Sequence, residues 1–247
     1  MKDHHSAPAE TLCLIIARGG SKGLPRKNLL ELHGKPLIAW PIIYALKSAG
    51  VSEVVVSTDS AEIGQVAQSF GAMVPFIRPE ELSDDFATTE SVLQHGLNFM
   101  EKLLNKKYEY CIFLTATDIF RPDGLIEEGL DILEKNPSID SYFVGQKTTK
   151  NYWEKNEQGE WVRIKGWMKE YGSRQNREFI VREDTGLGCI SRAKLWRDGR
   201  RIGDKVFIKI IDDSFMNIDI HESDDLQLAN SAMEIRSQNK GKTNNEN

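Results

Sequence analysis

Short apolar runs alternate with helical segments along most of this chain of 247 residues. The first run, "TLCLIIA" from residue 11, is almost continuously apolar, which is typical of a strand buried on both faces. Two more strands are predicted in "SEVVVSTDS" and "YEYCIFL", and the segments "SAEIGQVAQSFGA" and "TTESVLQHGLNFMEKLLNKK" between them have helical periodicity. This βαβα alternation predicts an α/β fold with a mostly parallel sheet and helices on both faces.

Local signals set the predicted boundaries of several elements. Pro36 is predicted at the start of the first helix, "PLIAWPIIYALKSAG", and Pro41 in its first turn or at a kink. Ser60 is the expected N-cap of the next helix, because its hydroxyl can accept a bond from a free backbone N–H. The segment "AMVPFI" predicts a short strand.

The alternation fails after "DSYFVGQ". Residues 146–180 are polar, yet they carry three of the five tryptophans, and we interpret them as an insertion that forms a dimer arm. The α/β pattern resumes with "LGCISRAKLW", "KVFIKIID" and a last helix, "DDLQLANSAMEIRS". The sequence therefore predicts a flexible leader over 1–10, one domain over 11–237 and a disordered polar tail over 238–247.

Composition excludes several classes of protein. A formal net charge of -5 and a pI near 5.7 argue against a nucleic-acid binder. No apolar run approaches the roughly 20 residues of a membrane span, and "MKDHHSAPAE" lacks the apolar stretch of a secretion signal. Cys13, Cys111 and Cys189 lie inside apolar runs, which is typical of reduced, buried thiols. These features predict a cytoplasmic protein without a nucleic-acid or membrane partner.

A glycine-rich, cationic loop, "ARGGSKGLPRKN", follows the first predicted strand. In open α/β sheets ligands bind beyond the carboxyl ends of the strands, and glycines let backbone N–H groups approach an anion. Lys and Arg side chains would complete such a cradle, for which a triphosphate is the natural ligand. The loop matches neither the P-loop nor the GxGxxG pattern, so composition alone leaves open a solvated basic loop.

The loop also carries a family resemblance. "IIARGGSKGLPRKN" followed by "GKPLIAW" resembles the start of the acylneuraminate cytidylyltransferases, or CMP-sialic acid synthetases, which are related to the Kdo cytidylyltransferases. The similarity continues through "STDSAEIG", "RPEELSDDFATT", "SRQ" and "IDIHESDDLQLA", over roughly residues 11–235. It implies a Rossmann-like, three-layer α/β/α nucleotidyltransferase fold with a dimerisation insertion. It also implies a homodimeric, Mg²⁺-dependent enzyme that joins CTP to an acidic keto-sugar and releases pyrophosphate.

The resemblance assigns residues to the nucleotide and to catalysis. It implies catalytic roles for Arg18, Lys27 and Asp219. The nucleotide-binding residues that it implies are Arg18, Gly19, Gly20, Ser21, Lys22, Lys27, Asn28, Arg78, Asp85 and Thr88. Asp85 and Thr88 are equally typical of a helix entry, and Asp59 in "STDS" of a turn or a cap.

The acceptor side departs from the family pattern. Where the family has a stretch similar to "LQPTSPLR", this chain has "LTATDIFRP", which keeps Thr117 and Arg121 but replaces a glutamine with Thr115. "DTG" at 184–186 stands in place of Pro-Asn-Gly. We interpret this as retained use of CTP with an acceptor other than ordinary N-acetylneuraminate. The candidate acceptor-binding residues are Thr117, Arg121, Arg174 and Gln175.

The metal motif is altered as well. The family's paired aspartates correspond here to Asp219 and His221, whose side chains face one way if the segment is extended. Asp219 is the better ligand for Mg²⁺ or, as the alternative, Mn²⁺, because hard cations prefer carboxylate oxygen. His221 is a second candidate ligand or a proton acceptor, and Asp118 lies one position from a metal aspartate of the Kdo enzymes.

Two other functions stay open at this point. "GKPLI" also occurs in nucleotidyltransferases that use a sugar phosphate or a phosphonate as acceptor. The altered acceptor and metal motifs also fit a non-catalytic nucleotide-binding protein, although the intact cationic loop argues against that class.

Overall fold

The computed structural model describes residues 9–21, 23–170, 173 and 177–243. In chain order the strands are β1 (Thr11–Ile16), β2 (Glu31–Leu32), β3 (Lys35–Pro36), β4 (Glu53–Ser57), β5 (Tyr110–Thr115), β6 (Ser141–Thr148), β7 (Trp153–Lys155), β8 (Trp161–Arg163), β9 (Ile180–Glu183), β10 (Cys189–Arg192) and β11 (Val206–Ile210). The α-helices are α1 (Ala39–Lys47), α2 (Ala61–Ser69), α3 (Thr89–Leu104), α4 (Leu125–Lys135), α5 (Ala193–Arg197) and α6 (Ser223–Thr243). Within these ranges, no helix combines the length and the apolar character needed to cross a membrane.

The central sheet has seven strands, in the order β11-β6-β10-β5-β1-β4, with β9 pairing with β6. β1 is parallel to both β4 and β5, and β11 is parallel to β6. β10 is antiparallel to β5 and β6, and β9 is antiparallel to β6. Five of the seven strands therefore run in one direction, which confirms the predicted, mostly parallel sheet.

Helices cover both faces of the sheet. Successive side chains of a strand point to opposite faces, so β1 contributes to an apolar cluster on each side. Cys13 and Ile15 of β1 pack into an apolar cluster with residues of α1, α2, α4 and α6. Leu12 and Leu14 point the other way, into a second cluster with residues of α3 and α5. The predicted three-layer α/β/α arrangement is confirmed. The three cysteines are free and buried, as expected.

Helix starts follow the predicted caps. The Ser60 hydroxyl accepts a hydrogen bond from the Ile63 N–H at 3.3 Å, and Thr88 caps α3 in the same way. Pro41 lies in the first turn of α1, where its missing N–H leaves no helical bond unmade.

Two predicted boundaries are wrong. Pro36 does not begin a helix but belongs to a small hairpin, in which His33 and Gly34 have φ angles of 48° and 73°. These angles form the tight turn that matches strand twist, so the chain reverses before α1 begins at Ala39. The segment "AMVPFI" contributes only an isolated bridge between Met73 and Val55.

The insertion after β6 contains a small hairpin of β7 and β8. The guanidinium of Arg163 lies 4.2 Å from the Trp153 ring, and Lys155 Nζ lies 5.3 Å from the Trp161 ring. These cation–π contacts order an arm that shares no strand pairing with the central sheet. The first residues of the predicted 146–180 insertion belong to β6 instead, because β6 extends to Thr148 by pairing with β9.

The last helix also differs from its predicted end. α6 continues to Thr243, six residues into the tail that was expected to be disordered from residue 238. A helix that is already nucleated gains one hydrogen bond for each residue added, so a polar continuation can extend it without apolar contacts. Residues 244–247 and the leader residues 1–8 lie outside the described ranges.

Candidate active site

The cationic loop begins where β1 ends, at the carboxyl edge of the sheet. The amide of Asn28 donates to the Arg18 carbonyl at 2.9 Å, and Asn28 is buried, so it ties the two ends of the loop together. Arg26 adopts a left-handed φ of 56° and pairs with Glu62 of α2. The described part of the loop is therefore folded onto the domain, which argues against a merely solvated basic loop. Lys22, a predicted ligand of the nucleotide, lies outside the described residues.

Asp59 links the loop to the neighbouring strand, which the sequence did not reveal. Its Oδ1 accepts a hydrogen bond from the Gly19 N–H at 2.7 Å and lies 3.8 Å from Arg78 Nη2. The Gly19 N–H is thus used within the protein, whereas the glycine pattern predicted that it would face an anion. A polar residue just after β4, beside the end of β1, is the only signal that could have indicated this link.

Two arginines predicted to bind the nucleotide are each held by a carboxylate. Arg18 Nη1 lies 3.0 Å from Asp85 Oδ1, and both side chains are partly exposed. Arg78 is 4% exposed and donates to the Ser83 hydroxyl at 3.1 Å. Burial lowers the pKa of Arg78, whereas the nearby Asp59 charge opposes this shift. The structure thus places Arg18, Arg78, Asp85 and Asp59 around one end of the loop.

Thr88 and Lys27 occupy different parts of the site. The Thr88 hydroxyl accepts from the Ser91 N–H at 3.1 Å, so it caps α3, as the helix-entry interpretation expected. Lys27 is half-buried, and burial lowers the pKa of its amine, whereas the charge of Asp219 raises it. The charge of Arg18 lowers the same pKa. Lys27 therefore lies between the cationic loop and the acidic groups at the opposite side.

Asp118 and Asp219 form the acidic side of the site. They are joined as an antiparallel β-bridge, and the Ile220 N–H donates to the Thr117 carbonyl at 3.4 Å. Burial raises the pKa of Asp118, the charge of Arg121 opposes this shift, and the Asp219 charge adds to it. One oxygen of Asp219, Oδ2, lies 2.7 Å from His221 Nε2. The other, Oδ1, is buried and has no hydrogen-bond partner within the described structure.

This arrangement fits a hard divalent cation. Two adjacent carboxylates, one with a buried oxygen that lacks a partner, repel each other unless a positive charge lies between them. Asp118 and Asp219 supply the oxygen donors that Mg²⁺ prefers. No group of three or more His, Cys, Asp or Glu side chains converges as a metal cluster in the described ranges. Phosphate oxygens and water would therefore complete the shell of a cation held here.

Arg121 lies beneath the site rather than on its surface. It is 8% exposed, its Nε donates to the Leu187 carbonyl at 2.6 Å, and its Nη2 donates to Thr115 and Gly186 carbonyls, both at 2.7 Å. These bonds hold β5 to the segment before β10, so the placement does not support the prediction that Arg121 binds an acceptor carboxylate. Of the other predicted acceptor residues, Thr117 lies at the acidic side. Arg174 and Gln175 fall outside the described residues.

The "DTG" segment lies directly against the acidic pair. A Cβ atom at Gly186 would be 2.0 Å from Asp118 Oδ2, so only glycine fits at this position. The same Asp118 oxygen accepts a hydrogen bond from the Thr115 hydroxyl at 2.5 Å. The replacement at Thr115 therefore contacts Asp118 directly. The 184–186 segment meets Asp118 through Gly186, the glycine that the family pattern also has, and its replaced residues are the two that precede this glycine.

A protein-family model described as "Cytidylyltransferase" matches residues 12–196 of this chain. The chain belongs to the cytidylyltransferase family. The matched range includes the cationic loop, Arg78 and Asp118, but it ends before Asp219. The resemblance seen in the sequence is confirmed at the level of the family.

Curated relatives of this chain are named for pseudaminic, legionaminic and neuraminic acids. Pseudaminic acid cytidylyltransferase from Campylobacter jejuni (serotype O:2) is 44% identical over 43% of this chain and 47% of its own length. CMP-N,N'-diacetyllegionaminic acid synthase from Legionella pneumophila is 40% identical over 49% and 52%. N-acylneuraminate cytidylyltransferase from Escherichia coli is 38% identical over 50% and 28%. The matched part thus spans about half the length of these relatives, or less.

Solved structures support the fold of this chain. CMP:2-keto-3-deoxy-manno-octonic acid synthetase in complex with CTP has a TM-score of 0.67 and 16% identity, covering 92% of this chain and 100% of that one. 4-Diphosphocytidyl-2C-methyl-D-erythritol synthase from Anaerococcus prevotii has a TM-score of 0.64 and 12% identity over the same shares. At such identities the similarity shows the fold alone, and it confirms the predicted nucleotidyltransferase architecture.

Asp118→Asn should stabilise the protein while impairing its activity. Burial raises the pKa of Asp118, so protonation of this carboxyl stabilises the folded state at acid pH. That stabilisation is lost as the pH rises through the raised pKa. In chelator at neutral pH, the amide should therefore raise the melting temperature by about 2–4 °C, which corresponds to ~1 kcal/mol in a domain of this size.

With metal and substrates present, the same variant should lose on the order of a hundredfold in kcat if Asp118 helps to hold a cation, because a charged oxygen donor is gone. Asp131→Asn, at an exposed residue of α4, is the matched control and should change neither quantity. An Asp118→Asn protein that melts below the wild type at neutral pH would show that the carboxylate stabilises the fold.

Proposed function

We propose that this protein is a CTP-dependent cytidylyltransferase that transfers CMP to the anomeric hydroxyl of a nonulosonic acid and releases pyrophosphate. The observation that carries the proposal is the convergence of Arg18, Lys27 and the Asp118–Asp219 pair at one edge of the sheet. Positive groups on one side and a carboxylate pair on the other fit a triphosphate with its divalent cation. Family membership and the names of the relatives support the same reaction.

The chain's own groups would act mainly by positioning and by neutralising charge. Among the described residues, Arg18 is held by a partly exposed pair with Asp85, so a triphosphate can displace that carboxylate and take its place. Lys27 lies closer to the acidic side, where negative charge develops as the acceptor oxygen attacks the α-phosphorus in line with the departing pyrophosphate. Arg78 is already buried and bonded, so it would order the loop around the nucleotide.

Asp118 and Asp219 would hold Mg²⁺, with Mn²⁺ as the alternative. The bound cation would supply charge neutralisation at the phosphates and a fixed position for them. His221 Nε2 lies 2.7 Å from Asp219 Oδ2, where its N–H would donate to the carboxylate, so we assign His221 to orienting that carboxylate rather than to direct ligation. This assignment agrees with the preference of Mg²⁺ for oxygen ligands over imidazole.

The acceptor that we propose is a nonulosonic acid of the pseudaminic or legionaminic type. The replacement at Thr115 contacts Asp118, and the replaced residues Asp184 and Thr185 directly precede Gly186, which abuts Asp118, so both replacements lie on the side where the acceptor would bind. Relatives of higher identity are named for pseudaminic and legionaminic acids. Pyrophosphate release with a panel of such acids and the four nucleoside triphosphates tests the reaction, and activity with CTP and one of these acids is the expected result.

CTP with Mg²⁺ should raise the melting temperature more than ATP or GTP at the same concentration. A ligand that binds only the folded state stabilises it by RT ln(1 + [L]/Kd), which is about 2.7 kcal/mol at a hundredfold excess over Kd. Differential scanning fluorimetry over a concentration series measures the shift. Equal shifts for CTP and ATP would contradict a cytidine-specific pocket.

Lys27→Ala should lower kcat by about a hundredfold or more, because it removes a cation that faces developing negative charge. The fold should persist, since Lys27 lies in a loop and is only half-buried. Lys47→Ala, at the exposed end of α1, is the matched control and should retain full activity. Retention of more than about half of the activity in Lys27→Ala would remove this residue from the catalytic assignment.

We also propose that the arm of β7 and β8 forms a two-fold homodimer. Trp153 and Trp161 are 48% and 64% exposed, and large exposed aromatic surface usually marks an interface. Light scattering at micromolar concentration should give the mass of a dimer for the wild type. Trp153→Ser combined with Trp161→Ser should shift that mass toward the monomer, and a monomeric wild type with full activity would refute the arrangement.

A further inference from the structure

The proposed acceptor has a chemical property that restricts where its charge can bind. In a 2-keto acid sugar, the attacking hydroxyl and the carboxylate are attached to the same carbon. A group that binds this carboxylate must therefore lie close to the acidic pair, Asp118 and Asp219, and a cation with several N–H donors suits it best. The inference below rests on the proposed function, because it concerns the acceptor of that reaction.

Most described cations near this edge already have another use. Arg18 and Lys27 belong to the triphosphate side, and the Arg121 guanidinium donates three N–H groups to main-chain carbonyls. Arg182 of β9 is different, because its side chain is 54% exposed. It lies on the strand that leads into the "DTG" segment, on the acceptor side of the site.

Arg182 is held rigidly by one edge of its guanidinium. Nε donates to Asp184 Oδ1 at 2.9 Å, and Nη2 donates to Asp184 Oδ2 at 3.0 Å and to Asn217 Oδ1 at 3.3 Å. Asp184 itself is fixed, since its N–H donates to the Val144 carbonyl at 2.9 Å and its carbonyl accepts from Leu187. These bonds use Nε and Nη2, and the described structure shows no hydrogen bond from Nη1.

Each partner of Arg182 is only two residues away, along the chain, from a residue that belongs to the acidic pair or is in contact with it. Gly186, two residues after Asp184, abuts the carboxylate of Asp118. Asn217 lies two residues before Asp219 along the chain. The hydrogen bonds to Asp184 are the main cause that raises the pKa of Arg182, and the charge of Asp118 contributes to a lesser degree.

We propose that Arg182 binds the carboxylate of the acceptor through the Nη1 side of its guanidinium, and that Asp184 is the positioning residue that holds this orientation. A planar fork fixed along one edge offers its other N–H groups in a set direction, which favours a planar carboxylate over a neutral group. The sequence replacement at 184–186 thereby acquires a role, since it provides the aspartate that orients Arg182.

The test measures steady-state pyrophosphate release with two acceptors, a nonulosonic acid that the wild type converts and its C1 amide, which lacks the negative charge. Wild type, Arg182→Gln and Arg182→Lys are compared at saturating CTP and Mg²⁺. Arg182→Gln should raise KM for the acid by about tenfold to a hundredfold, the usual effect of losing a hydrogen bond to a charged group. KM for CTP should stay within about twofold, and KM for the amide should be the same in wild type and variant.

Arg182→Lys should recover part of the affinity for the acid, because it restores the charge but not the fork. Arg200→Gln, which removes an exposed guanidinium paired with Asp204, is the matched control and should leave all constants unchanged. Equal effects of Arg182→Gln on acid and amide, or an equal rise in KM for CTP, would show a purely structural ion pair and overturn the inference. A wild type that converts no nonulosonic acid would instead overturn the proposed function, and the inference with it.

Discussion

Strand β1 is hydrogen-bonded on both sides by parallel partners, and this pairing decides where the functional groups lie. Ile16 at its end is opposite both Ser57 of β4 and Thr115 of β5, so these three strands end at the same edge of the sheet. The Asp59 carboxylate can then reach the Gly19 N–H, and Asp118 projects beside them after β5. A shift of one residue in either pairing would move these groups to the other face of the sheet.

The antiparallel strand beside β5 contributes the other half of the site. Gly145 of β6 pairs with Glu183, and Phe143 of β6 pairs with Cys189. The two β6 residues are two positions apart, whereas their partners on β9 and β10 are six positions apart. The extra residues between β9 and β10 form a turn, in which the Leu187 N–H donates to the Asp184 carbonyl at 3.2 Å. This turn carries Gly186 to Asp118 and holds Arg182 through Asp184.

Opposite charges are already paired throughout the site. Arg18 contacts Asp85, Arg78 lies near Asp59, and Arg182 is bound by Asp184. Such pairs limit the cost of placing cations in partly buried positions, and the exposed ones can exchange a carboxylate for a substrate anion at little net cost. The acidic pair of Asp118 and Asp219 is only partly compensated, because burial still raises the pKa of Asp118 and one Asp219 oxygen lacks a partner in the described structure, so we expect the pair to reduce stability until a cation binds.

The sequence alone determined the α/β class, the buried β1, the caps at Ser60 and Thr88, and the cationic loop, because these depend on periodicity and on contacts within a few residues. Family motifs predicted which residues bind the nucleotide. Only the tertiary structure decided that Gly19 faces Asp59, that Arg121 is committed to main-chain carbonyls, and that Arg182 and Asn217 meet beside the acidic pair. Each of these contacts joins residues far apart in the chain, and strand register and the turn between β9 and β10 set their distances, which no local pattern encodes.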